Sequence, residues 1–193
     1  VDAINNIFFD ANPHFEIKKC NYFTNEHFEW CEENINKEKK RIPDSKGYEV
    51  LQGTSKVSGK LLGGCIELLD MINGTEIWPS LDEWRNKILF IETSEETPSP
   101  QNVKYILRTL QAQGILNAIT GIIVGKPRGE TYYEEYKDVL KTVVGIEAKR
   151  LDLPIIYNVN FGHNEPIGII PYGVECELDC DNKKITLLES GVL

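Results

Sequence analysis

An α/β fold organised around a short parallel sheet is what this sequence predicts, and three features carry the prediction. Ile88-Leu89-Phe90-Ile91 is an uninterrupted apolar run that ends at Glu92, the pattern of a strand covered on both faces. Ile119 to Gly125 and Leu153 to Tyr157 give two more strand cores. Between the three lie helical stretches: Asn102 to Gln113, with Val103, Ile106, Leu107 and Leu110 on one face, and Thr131 to Arg150. Strand, helix, strand, helix, strand with right-handed crossovers puts all three strand ends at one edge of the sheet.

The other elements follow in order. Residues 1–22 hold short apolar runs, Ile7-Phe8-Phe9 and Phe15-Glu16-Ile17, interrupted by Asn12-Pro13, and are expected to be a lead-in with weak strand character. A helix is expected from Thr24, which can cap it, with Phe28, Cys31 and Ile35 on one face and a stop before Pro43. The basic run Lys37 to Arg41 follows Glu32 and Glu33 and reads as a solvated helix face. Tyr48 to Lys60 alternates as a mixed strand rich in small residues. The glycines from Gly59 to Gly64 then lead into Ile66 to Ile72, apolar at helical spacing and closed by Asn73-Gly74. With no GKS, GKT or GxGxxG pattern, these glycines are not a phosphate cradle, and a nucleotide-binding enzyme is disfavoured. Gly63 and Gly64 are expected instead to let a helix N-terminus approach another backbone. Leu81 to Trp84 is a short helix, Ser94 to Pro100 a loop, Gly114 a helix stop, and the segments around Asp181-Asn182 a closing hairpin.

At 193 residues, 41% apolar and 26% charged, the chain can build one core or two small ones. A net charge of −9 argues against a nucleic-acid partner, because phosphate binding needs clustered Lys and Arg. No apolar run approaches the roughly eighteen residues of a membrane span, and the basic and apolar regions of a signal peptide are absent, so a cytoplasmic protein without a membrane partner is expected. Val1 opens inside what reads as continuing structure, so a piece of a longer protein is expected. The five cysteines form no CxxC pair, and Cys176 and Cys180 lack a second closely spaced pair. Free thiols in a reducing compartment are therefore expected, with no metal and no cofactor. His14 and His27 have no acidic or cysteine partner at useful spacing and read as structural.

Chemistry is expected at the strand ends, where α/β folds place it. Glu92 sits past the first strand, and His163, in Asn160-Phe161-Gly162-His163-Asn164, follows the third. A carboxylate and an imidazole on one rim suggest two members of a triad; the bland alternatives are a loop or helix-capping carboxylate and a satisfied loop histidine. A nucleophile is missing. Ser55, Ser58 and Ser190 do not stand between small residues on a strand-to-helix turn, and Cys65 would need a lowered pKa to substitute.

The order of motifs resembles a known family. Gly59-x-x-x-Gly63-Gly64, Gly74-Thr75, Leu89-Phe90-Ile91-Glu92 with Glu96, Gly121-Ile122-Ile123-x-Gly125, Gly162-His163 and Ile170-Pro171-x-Gly173 follow one another as in LD-carboxypeptidases and microcin-immunity serine peptidases. The resemblance covers about residues 48–180, and Cys65 departs from it where the family usually has Asn. It implies a swivelling β/β/α domain over 48–193, with 1–47 as a lead-in and interdomain segment. It also implies a Ser-Glu-His triad in which Glu92 and His163 are the acid and base, while an N-terminal domain brings the Ser. Glu96 is then a candidate contact for a positively charged substrate group. The implied substrate is a small peptide, a muropeptide, or an aminoacyl conjugate, and the expected assembly is a homodimer. A binding or interaction module of the same fold, without chemistry, is the alternative.

Overall fold

The computed structural model describes residues 2–9 and 14–192. The elements are α1 (Asp2–Phe8), β1 (Phe15–Glu16), β2 (Tyr22–Phe23), β3 (Ile42–Pro43), β4 (Glu49–Gln52), β5 (Lys56–Cys65), α2 (Ile66–Ile72), α3 (Leu81–Trp84) and β6 (Lys87–Glu92). They continue with α4 (Pro100–Ala112), α5 (Ile115–Ala118), β7 (Gly121–Gly125), α6 (Tyr133–Leu140), β8 (Ile155–Val159), β9 (Glu175–Asp179) and β10 (Lys184–Leu187). Eight strands form one sheet in the order β1-β10-β9-β5-β6-β7-β8-β4, and β2 pairs with β3 apart from it. The centre, β5-β6-β7-β8, is parallel, and the flanking pairs are antiparallel. The expected α/β class is what is found.

Period-two alternation distributes the central strands between two cores. Leu89 and Ile91, Ile122 and Val124, and Ile155 and Tyr157 face the helices and pack with Leu107, Leu110, Leu116 and Val143. Ile88, Phe90, Ile123 and Ile156 face the other way and are covered by Ile7, Ile17, Tyr48 and Phe161. The lead-in thus seals the second face of the sheet, and Phe15-Glu16 adds an edge strand against β10. The break predicted at Asn12-Pro13 lies outside the described residues.

Several expectations are corrected. In the lead-in, Ile7-Phe8 lies in a helix rather than a weak strand, whereas Phe15–Glu16 forms the short strand expected. The helix expected from Thr24 does not form: Thr24 pairs with Glu165 in an antiparallel bridge, and only a 3-10 turn at Glu32–Asn34 is helical. Its supposed apolar face had nothing to bury against, since Cys31 and Ile35 are exposed. The basic run is accordingly not a helix face. Lys39 bonds Glu165 at 2.5 Å, the Lys40 amide donates to Glu26 at 2.6 Å, and Arg41 lies over the Tyr22 ring.

The glycine-rich stretch is a fourth parallel strand, β5, and not the approach of a helix end. A Cβ on Gly63 would fall 1.8 Å from the Phe90 carbonyl oxygen of β6, so the close contact is strand to strand. The second long helix is divided, α6 giving way to a π-helical stretch at Lys141–Glu147. No helix among the described residues is long and apolar enough to cross a membrane.

Candidate active site

The parallel centre of the sheet delivers its strand ends to one rim. Glu92 is the last residue of β6, and His163 lies on the loop after β8. Glu92 Oε2 stands 2.8 Å from His163 Nδ1, the hydrogen bond expected from their shared position past parallel strands.

Small residues make room for this pair. Gly162 has φ +90° and would place a Cβ 2.6 Å from Glu92 Oε2; Gly125, ending β7, would place one 2.8 Å from Glu92 Cβ. The left-handed backbone at Gly162 turns His163 back over the carboxylate, a conformation that L side chains adopt rarely. The loop is held from both sides. The Gly168 amide donates to Asn160 O at 2.6 Å, Asn164 Nδ2 donates to Pro127 O at 3.1 Å, and Phe161 packs edge-on against Phe90.

Glu92 is only 8% exposed. Burial raises its carboxyl above the ordinary value, the His163 hydrogen bond works against that shift, and anionic Glu67 reinforces it. Glu67, at the start of α2, also receives the Ser94 amide at 3.1 Å and the Ser94 hydroxyl at 2.6 Å, which fixes the turn after β6. Cys65 pairs with Glu92 across the β5–β6 ladder. Its thiol is pushed up to about 11 by burial first, with Glu92 and Glu67 adding to the shift, the opposite of the lowered pKa that an activated thiol needs.

His163 Nε2 faces a cleft of about 490 Å³ lined by Asn25, Glu26, His27, Glu95, Arg128 and Glu165, among others. Glu95 Oε2 is 3.1 Å from that nitrogen. Glu96 is exposed and does not line the cleft; its amide donates to Ser94 Oγ at 3.2 Å. His27, read from sequence as structural, lies on the cleft wall, whereas His14 lines a different cavity. Glu67, Glu95 and Arg128 were not picked out from the sequence. Arg128 was within reach of the strand-end rule, because it follows β7 just as Glu92 ends β6. Among the described residues no cluster of His, Cys, Asp or Glu is arranged to hold a metal ion.

Comparison with known proteins agrees with this fold. The family model described as the LD-carboxypeptidase C-terminal domain matches residues 58–178. The microcin C7 self-immunity protein MccF of Escherichia coli is 28% identical over 171 residues, covering 83% of this chain and 46% of the relative. A crystal structure of an MccF-like protein from Streptococcus pneumoniae in complex with AMP superposes with a TM-score of 0.78 at 32% identity, over 89% of this chain and 52% of that one. MccF in complex with glutamyl sulfamoyl guanosine gives 0.73 at 25% identity, over 94% and 52%. The chain spans about half the length of the curated relatives it matches. With the family model covering most of the chain and the fold matching over nine-tenths of it, the chain belongs to the LD-carboxypeptidase C-terminal domain family.

Proposed function

We propose that this chain is the acid–base half of a serine peptidase that hydrolyses a terminal amide. The observation that carries the reading is the 2.8 Å contact between Glu92 and His163 Nδ1, with Nε2 turned to a cleft. In the proposed mechanism Glu92 accepts a hydrogen bond from Nδ1–H, which fixes the tautomer and stabilises the imidazole once it is charged. His163 Nε2 takes the proton of a Ser hydroxyl as it attacks the carbonyl, then returns it to the leaving amine. The Ser and the oxyanion hole come from an N-terminal half of a longer protein, which fits the half-length match to relatives. The rim that holds Glu92 and the half-exposed His163 is where such a half would close the site.

The substrate proposed is a muropeptide or an aminoacyl–nucleotide conjugate. The AMP and glutamyl sulfamoyl guanosine held by the structural neighbours favour the second. A homodimer in the cytoplasm is the proposed context, and the five free thiols fit a reducing compartment. The test is hydrolysis of both substrates by the full-length protein and by its His163→Ala variant. Loss of about a thousandfold or more is expected, since a triad acts as a unit. Undiminished turnover by the variant would reject the acid–base assignment. Substrate binding with no turnover by the wild-type protein would favour a non-catalytic binding module of the same fold.

A further inference from the structure

We propose that Glu95 is a latch on the base, opened by a positively charged group on the substrate. The inference rests on the peptidase reading above and names the substrate class of the same site.

Both nitrogens of the His163 ring meet carboxylates, Nδ1 at Glu92 (2.8 Å) and Nε2 at Glu95 (3.1 Å). Glu95 Oε2 thus sits where the hydroxyl of a nucleophile must lie to give its proton to Nε2. Glu95 therefore occupies the atom on which general-base catalysis depends, and the contact must open before the chemistry.

The structure separates what is fixed here from what can move. The backbone of the turn is pinned, with the Ser94 amide and hydroxyl on Glu67 and the Thr97 amide on Ser94 O at 3.1 Å. The Glu95 side chain, in contrast, is 55% exposed, against 9% for that of Glu92. Rotation about its own side-chain bonds releases Nε2 and leaves Glu92 in place.

The surroundings indicate what draws Glu95 away. Of the other cleft carboxylates, Glu165 is held by Lys39 and Glu26 by the Lys40 amide. Among the described residues, Glu95 lies within ion-pairing distance of the imidazole alone. A substrate ammonium or guanidinium beside the scissile amide competes for it through a charge-assisted hydrogen bond. As Glu95 leaves, Nε2 is open to the nucleophile. A neutral group at the same place has no such hold, and a carboxylate is repelled.

The experiment compares two substrates of the full-length protein, identical except that the amine next to the scissile amide is free in one and acetylated in the other. Wild type should favour the free amine in kcat/KM by about tenfold or more, the scale of a hydrogen bond between charged groups. Glu95→Gln should bring the ratio to within about threefold of unity. The variant should raise KM for the free amine and raise kcat for the acetylated substrate, a split that mere loss of structure does not produce. Glu96→Gln should leave the ratio at the wild-type value. The latch is overturned if Glu95→Gln keeps the wild-type ratio, if it slows both substrates equally, or if Glu96→Gln rather than Glu95→Gln collapses the ratio. Hydrolysis that depends on His163 but not on the substrate amine sinks the latch and leaves the peptidase reading standing; no hydrolysis of either substrate by wild type sinks both.

Discussion

Residues 87–164 and residues 14–47 meet at the same cleft, but they are held by different physics. The first region is hydrophobic burial: Leu89, Ile122 and Ile155 are fully enclosed between sheet and helices. The second has two-residue strands and one 3-10 turn, and Trp30 is wholly exposed. Ile17 and Phe23 are buried, and beyond them it is held by polar anchors near its C-terminal end. Lys126, itself buried at the end of β7, pairs with Asp44 at 3.3 Å and lies over the Phe23 ring, and Tyr48 donates to Asn160 at 2.5 Å. The Glu92–His163 pair belongs to the packed region, while Asn25, Glu26 and His27 of the cleft wall belong to the loosely held one. The pair is thus placed within hydrogen-bonding precision while the wall opposite can adjust to a ligand, a division seen wherever a rigid scaffold carries adaptable loops.

The largest effect should come from breaking the backbone that seats the pair. Gly162→Val drives a side chain into Glu92 and forces a β-branched residue to φ +90°. Hydrolysis by the full-length protein should fall by about a hundredfold or more, the order expected when a positioned group is displaced by an ångström. Activity within a few fold of wild type would mean the pair is not held as described.

Stability should divide along the same line. Leu107 is fully buried under the helices, and Leu107→Ala should cost about 2–5 kcal/mol in denaturant titration of the chain. Trp30→Ala, at a wholly exposed position, should stay within about 0.5 kcal/mol. Equal costs would erase the distinction between the two regions.

Glu92 should cost stability in return for its placement. Its carboxyl is raised above the ordinary 4.5 by burial, so the folded state holds that proton more tightly than the unfolded state does. The penalty for ionising it is absent below about pH 4.5 and grows as pH rises through the folded value. Glu92→Gln removes the ionisation, so the Tm difference, variant minus wild type, should become more positive from pH 4 to pH 7. A difference that is flat or falls over that range would contradict the assignment. The smallest effect is expected from the Lys39–Glu165 ion pair, which is partly exposed. Lys39→Ala should lower stability by no more than about 1 kcal/mol, with faster amide exchange confined to residues near the Thr24–Glu165 bridge.

How far sequence reasoning reached follows the same division. Where burial sets the structure, the pattern is visible: Ile88 to Ile91, the α4 face from Val103 to Leu110, and the Glu92 and His163 rim all follow from apolar periodicity and strand order. Where pairing without apolar periodicity sets it, the pattern misleads. Gly63 and Gly64 carry no strand signature, because the role of Gly63 is the absence of a side chain against Phe90. Thr24 was drawn to Glu165, far along the chain, against its local capping preference. Nothing in Thr93-Ser94-Glu95-Glu96 distinguishes Glu95 from Glu96. The Glu67 bonds to Ser94 and the left-handed Thr97 (φ +49°) shape the turn that sends Glu95, and not Glu96, to His163.

The central claim is that these residues supply the acid and base while the nucleophile lies elsewhere in the protein. Labelling the full-length protein with a fluorophosphonate and locating the adduct by mass spectrometry tests it most directly. The account predicts a single modified Ser outside residues 1–193, with labelling abolished by His163→Ala and strongly slowed by Glu92→Gln. An adduct on Ser55, Ser58, Ser190 or any other Ser of this chain, or labelling indifferent to His163, would contradict it.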